Sequence, residues 1–201
     1  MDMKEYFISE LKSTKRKGIK TLIEYLENSD FFTAPASTAY HGAYPGGLLE
    51  HSINVLNCLR FEYANLQDSD YILPEIPEES IIIAALLHDL CKVNTYVEWY
   101  RNVKNEDTGK WEKVKCYKRE PLLAMGHGGK SVFIAQQFIQ LTVDEATAIY
   151  WHMSAYDAHP SGYNTYNELS KAYRTNLLAF LLHTADMKAT YIAENHYPLK
   201  K

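Results

Sequence analysis

Residues 84–92 read AALLHDLCK, and positions 81–87 form an unbroken apolar run. A segment built for the core thus ends in two polar groups, His88 and Asp89, which are costly to bury without partners. An imidazole beside a carboxylate suits a metal ion, but two donors do not hold one, so others must converge from elsewhere in the chain. Asp186 is a second anomaly. It lies in LLAFLLHTADMKATYIAE (177–194), where positions 179, 182, 183, 186 and 190 share one side of a helix and Leu177, Phe180 and Met187 share the other. A helix apolar nearly all round is expected to be buried, and a buried carboxylate demands a cation or several donors. An arginine or a backbone cap would serve Asp186 equally well. His51 follows a glycine pair, His127 sits between glycines, and His152 follows the apolar Ile149, Tyr150 and Trp151. Each of these, taken singly, also reads as a structural histidine. His183 shares a side with Asp186, whereas His41, His159 and His196 fall in loops or near the C-terminus.

The elements that must position these groups are mostly helical. Residues 4–29 carry a helical pattern, with Ile19, Leu22, Ile23 and Leu26 spaced for one face. The basic stretch KSTKRKGIK (12–20) is expected to be a solvated helix end or turn. FFTAPASTAYHGAYPGG (31–47) reads as a loop, followed by a helix over about 46–66. LPEIPEES (73–80) introduces the helix IIIAALLHDLCKV. TYVEWYRNVK and KWEKVKCYK alternate around the turn-forming NEDTG, which predicts a β-hairpin over about 95–119. Its Trp99 and Trp111 would cover either the pocket or a partner subunit. SVFIAQQFIQ is expected to be helical, as is 141–153, with Thr142 as cap and Glu145 three residues on. SAYDAHPSGYNTYN (154–167) is expected to be a loop whose Tyr156, Tyr163 or Tyr166 could stack on a base. A last helix is expected over about 168–194. GHGGKS (126–131) is not a phosphate-binding P-loop, because Ala124 stands where the first glycine is required and no strand precedes it. Its glycines and Lys130 would still suit a phosphate at a helix N-terminus.

The ordered set His51, His88–Asp89, His127, His152 and Asp186 resembles the HD superfamily of metal-dependent phosphohydrolases. That pattern has a lone histidine, an HD pair on a helix, often two further histidines, and a distal aspartate. YPGGLLEHS (44–52) and LLHDLCK (86–92) are similar to the HD domain of bacterial 3′–5′ exoribonucleases and to small stand-alone HD proteins of bacteria and phages. The resemblance implies an all-α fold, a single HD-type helical domain spanning 1–201. Residues 1–40 would form an N-terminal helical extension and 41–194 the HD core, with the hairpin inserted. It implies that His51, His88, Asp89 and Asp186 bind one divalent metal ion, and that Asp89 bridges to a second held by His127 and His152. With one metal, those two histidines would face the substrate phosphate instead. Lys92 matches the lysine of HDxxK and would neutralise phosphate charge, with Lys130, Tyr156 and His183 also toward substrate. Imidazoles and carboxylates without thiolates suit Mn, Fe, Co, Ni or Zn.

The implied function is hydrolysis of a phosphoester of a nucleotide or short oligonucleotide by a metal-activated water. The exoribonucleases carry an OB-type domain before the HD domain. Here residues 1–40 look helical, so a phosphorylated small molecule, a nucleotide first, is favoured over nucleic acid. Two alternatives remain: a 3′–5′ exonuclease on single strands, and a non-catalytic nucleotide sensor. A net charge of −4 gives no basic surplus for nucleic acid or an anionic membrane. Cys58, Cys91 and Cys116 are widely spaced with no CxxC, which predicts a reducing cytoplasm and no disulfide framework. The N-terminus lacks the apolar stretch of a signal peptide, and no run is long enough for a membrane span.

Overall fold

The structure is a computed structural model, described for residues 1–123, 125–154 and 163–195, at 163 and 164 for the backbone alone. Asp2 starts the first helix, α1 (Met3–Ser13), by accepting from the Glu5 amide while the Glu5 side chain accepts from the Asp2 amide. This reciprocal cap satisfies two otherwise orphaned donors. The chain turns at the basic stretch and re-enters helix as α2 (Ile19–Glu27), so the helical pattern of residues 4–29 is two helices.

After the loop come α3 (Gly47–Gln67) and α4 (Glu78–Leu87). Every residue of α4 from position 80 onward is buried, because it packs against α1 and α3 and against two helices that come later. Burial of each such Leu or Ile is worth roughly 1.5–3 kcal/mol, so this run anchors the fold. The helix stops at Leu87, earlier than the sequence pattern implies. His88 is its C-cap, and Asp89 leads into a 3₁₀ turn, Leu90–Lys92.

The hairpin forms as expected, with β1 (Tyr96–Lys104) antiparallel to β2 (Trp111–Arg119) and Tyr96 opposite Arg119. It is tied to the 31–46 loop where the Tyr117 amide donates to the Thr38 carbonyl. Trp99 and Trp111 are both exposed.

Four further α-helices follow among the described residues. α5 (His127–Gln136) begins at His127 itself. α6 (Val143–Trp151) carries the expected capping box of Thr142 and Glu145. α7 (Tyr163–Thr175) and α8 (Leu177–Lys188) replace the single last helix. The break is at Asn176, whose extended backbone (φ −137°, ψ 100°) lets its side chain cap the Ala179 amide. Tyr166 lies in α7 and is exposed, so the predicted 154–167 loop is helical from Tyr163; its residues 155–162, with Tyr156 and His159, lie outside the described residues. The outer side of α8 is not buried: Phe180 and Met187 are exposed, while Ala179 and Leu182 face the core. A π turn, Ala189–Ala193, extends α8 toward Glu194. Among the described residues, no helix is long and apolar enough to cross a membrane.

Candidate metal centre

His88 and His152 close α4 and α6 in the same way. Each Nδ1 lies 2.7 Å from the carbonyl oxygen three residues earlier, Ala85 and Ile149 respectively. A carbonyl can only accept, so Nδ1 carries the proton. The contact satisfies one orphaned carbonyl of the last turn and leaves Nε2 as a bare lone pair pointing away from the helix. His51, in the second turn of α3, is fixed differently: its Nδ1 lies 2.9 Å from Glu194 Oε1, which also accepts from Asn54. A glycine sets the start of α3. A Cβ at Gly47 would stand 2.0 Å from the Gly42 carbonyl oxygen, so only glycine allows the 31–46 loop to close on this helix end and place His51.

The Nε2 atoms of His51 and His88 are 3.3 Å apart. His51 Nε2 is 3.1 Å from Asp186 Oδ1 and 3.6 Å from Asp89 Oδ2, and His88 Nε2 is 3.3 Å from the same Asp89 oxygen. Tetrahedral donors at about 2.0–2.1 Å from an ion are about 3.3–3.4 Å from each other, so these spacings are near those of metal ligands, with His51, His88 and Asp186 forming one close group of donors and His88, Asp89 and His152 another. Both histidines are 1 % exposed or less and Asp89 only 2 %, which removes water as their alternative partner. Asp89 divides its oxygens. Oδ2 faces His51, His88 and Lys92, whereas Oδ1 faces His152 Nε2 at 3.6 Å and Cys91 Sγ at 3.8 Å. His152 Nε2 is fully buried and has no hydrogen-bond partner, an unsatisfied lone pair that a cation would satisfy.

The electrostatics show a pocket that demands positive charge. Burial would lower the His51 pKa, yet hydrogen bonds to Asp186 and Glu194 raise it to about 9. Burial opposes ionisation of Asp89 and Asp186, but Lys92 holds Asp89 well below the usual carboxylate range and His51 does the same for Asp186. Burial, then the Asp89 charge, pushes the Cys91 thiol up to about 12.

The remaining expected residues are placed as follows. His127 is half-buried, with Nδ1 3.4 Å from Cys91 Sγ, and joins the cluster through Asp89 and Cys91. Lys92 is buried, with Nζ 2.5 Å from Asp89 Oδ2. Lys130 is buried too, and its Nζ donates to Thr95 Oγ1. His183 donates from Nδ1 to the His152 carbonyl at 2.7 Å, reaching the cluster through that backbone. Cys91 Sγ lies beside Asp89 and His127, a neighbour the sequence reading did not anticipate. Glu194 and His41 were also missed. His41 packs on His51 with ring centroids 5.0 Å apart, and burial with the neighbouring His51 lowers its pKa to about 4. Only the position of Cys91, two residues after Asp89, gave a signal. The surface hollow lined by Arg16, Gly18, Phe138 and Leu141 shares no residue with the cluster.

A mostly helical fold that gathers a buried cluster of histidines and aspartates is consistent with an HD-type site. A 64-residue stretch, 32% of this chain, is 39% identical to part of the dihydroneopterin 2′,3′-cyclic phosphate phosphodiesterase of Methanocaldococcus jannaschii. The match covers 25% of that protein's length, so the chain spans about a quarter of the curated relative. No protein-family model and no solved structure matches the chain.

Proposed function

We propose that this protein is an HD-type metal-dependent phosphohydrolase acting on a phosphoester of a nucleotide or short oligonucleotide. The observation that carries the reading is the convergence of bare Nε2 atoms and carboxylate oxygens, 3.1–3.6 Å apart, with each Nδ1 already committed to another partner. His51, His88, Asp89 and Asp186 would hold a divalent transition ion: Mn, Fe, Co, Ni or Zn. Such an ion, when bound, lowers the pKa of water to about 7 and so makes hydroxide available near neutral pH.

The chain's own groups supply the rest. Lys92 Nζ sets a fixed positive charge beside Asp89, where it can neutralise phosphoryl oxygens. His127 opens α5 and puts an imidazole at a helix N-terminus, an end that favours anions. Charge placement of this kind in a water-poor site is usually the largest catalytic contribution. The relative's 2′,3′-cyclic phosphate supports including phosphodiesters among the substrates.

The test is a release assay on the metal-loaded protein, with nucleoside monophosphates, 2′,3′-cyclic nucleotides and short oligonucleotides. The expected result is turnover of at least one class, lost together with bound metal in Asp89→Ala. Unchanged turnover in that variant would contradict the assignment. Processive shortening of oligonucleotides would favour the exonuclease, and binding without turnover the sensor.

A further inference from the structure

The net charge of −4 hides a local surplus. Residues 96–119, the hairpin with its turn, hold seven basic and four acidic side chains, a net charge of +3, so the rest of the chain carries −7. The pairing register decides which of these share a side, because directly opposed residues lie together and sides alternate along each strand. One side sets Lys104 opposite Trp111, Asn102 opposite Lys113 and Tyr100 opposite Lys115, and it ends at Tyr96 opposite Arg119. Glu98 is the only acid on that side of the two strands. It pairs with Lys115, a surface contact that a phosphate readily replaces. Trp111 is 71 % exposed and Tyr100 58 %. The other side differs, since Lys118 Nζ there lies 5.3 Å from the Trp99 ring centroid and the two engage each other.

We infer that this basic, aromatic side of the hairpin binds single-stranded nucleic acid and leads its end to the metal centre, which narrows the substrate to an oligonucleotide. The inference rests on the phosphohydrolase reading above for the chemistry at the hairpin's root. The strands pack on each other far more than on any helix, and a two-stranded hairpin alone is marginal in water. Exposed rings on such a ribbon mark a surface made for a partner. Like charge opposes a second hairpin in that place. A single strand fits, because it too alternates anionic phosphates with flat bases: lysines and arginines take the backbone, and rings stack on bases without regard to sequence. The root adjoins the site. β1 begins four positions after Lys92, and the Tyr96 hydroxyl donates at 3.4 Å to the Ala36 carbonyl, in the loop that sets His51. Burial raises the pKa of that hydroxyl, while the neighbouring Lys92 ammonium lowers it. A strand laid from Trp111 toward Arg119 therefore arrives beside Lys92 and Asp89.

The test is fluorescence anisotropy of a labelled oligothymidylate of about 16 nucleotides, titrated with the full chain over a range of salt concentrations. The expected result is saturable binding that weakens as salt rises. Trp111→Ala should weaken it about 5- to 100-fold, the loss of one stacked base. Lys104→Gln combined with Lys113→Gln should reduce the slope of log affinity against log salt by about 1.4, for two phosphate contacts on a single strand. All three positions are exposed, and circular dichroism of the variants should match that of the parent protein. Vesicles containing phosphatidylserine should not sediment with the chain. Absent binding, binding indifferent to both variants, or capture by vesicles in place of the oligonucleotide overturns this inference, and turnover of mononucleotides would then leave the metal-centre reading standing. Binding as expected with no turnover of any phosphoester overturns the phosphohydrolase reading and keeps the strand-binding hairpin.

Discussion

Glu194 accepts from His51 Nδ1 at 2.9 Å and from Asn54 at 3.1 Å, so it decides which nitrogen of His51 faces the carboxylates. A carboxylate behind a ligating histidine fixes the ring and raises its basicity, and its loss typically costs about 10–100-fold in metal affinity. Glu194→Gln keeps an acceptor oxygen and removes the charge, so the low end of that range applies. Competition with a chelator should show metal affinity weaker by about tenfold with the helical content unchanged; unaltered affinity would exclude the role. The six clustered histidines and aspartates stood out in the sequence, His88, Asp89, His152 and Asp186 by their apolar surroundings and His51 and His127 by neighbouring glycines. Glu194 was not, since it lies in an ordinary helix end and its partner is 143 positions away. The engagement of Lys92 by Asp89 was equally hidden, because residue type alone does not say whether an ammonium faces a phosphate or a carboxylate.

The helices that carry these groups meet at places where one atom too many would part them. A Cβ at Gly128 would stand 2.1 Å from the Tyr150 carbonyl oxygen, so α5 and α6 approach closely only because that residue has none. At Gly129 the nearest atom to a Cβ is a Tyr150 ring carbon at 3.6 Å, an ordinary contact. Gly128→Ala should therefore destabilise by about 1–3 kcal/mol and Gly129→Ala should be neutral or stabilise by about 0.5–1 kcal/mol, as a helical glycine replaced by alanine does. Urea unfolding of the two variants checks this, and equal effects would refute the close approach. Arg16 joins distant elements, since it donates to Glu145 at the N-terminus of α6 at 2.8 Å and 3.0 Å, and Glu145 also accepts from Ser80 of α4. Burial would raise the Glu145 pKa, but Arg16 lowers it. This pairing therefore adds stability above the ordinary glutamate value of about 4.3, and that stability is lost as pH falls through the lowered folded value. Arg16→Ala leaves a buried carboxylate unpaired, at a cost of about 2–4 kcal/mol. Unfolding at neutral and acid pH should show the full gap from the parent protein at pH 7 and a shrinking one below about pH 4; a gap independent of pH would contradict it. The capping box of Thr142 and Glu145 was legible because capping is local. The role of Arg16 was not, since KSTKRKGIK looks like any solvated basic turn.

Seen as one molecule, the chain wraps helices around the α4 run and gathers the ends of α4 and α6, the second turn of α3, the first turn of α5 and the inner side of α8 at one place. Helical class and the hairpin were readable from periodicity and turn residues. The split between α7 and α8 was not, because the Asn176 cap sits inside an otherwise continuous helical pattern and only its backbone reveals the break. Cys91 carried only its closeness to Asp89 in sequence, and it is the packing of the 3₁₀ turn on α5 that puts its sulfur beside His127. The proposed chemistry needs an ion held among these side chains. Anomalous diffraction from crystals grown with Zn²⁺ or Mn²⁺, recorded on both sides of the metal's absorption edge, tests it most directly. The predicted result is a peak enclosed by the Nε2 atoms of His51 and His88 and the carboxylates of Asp89 and Asp186. Well-ordered side chains around that point with no anomalous peak between them would contradict it.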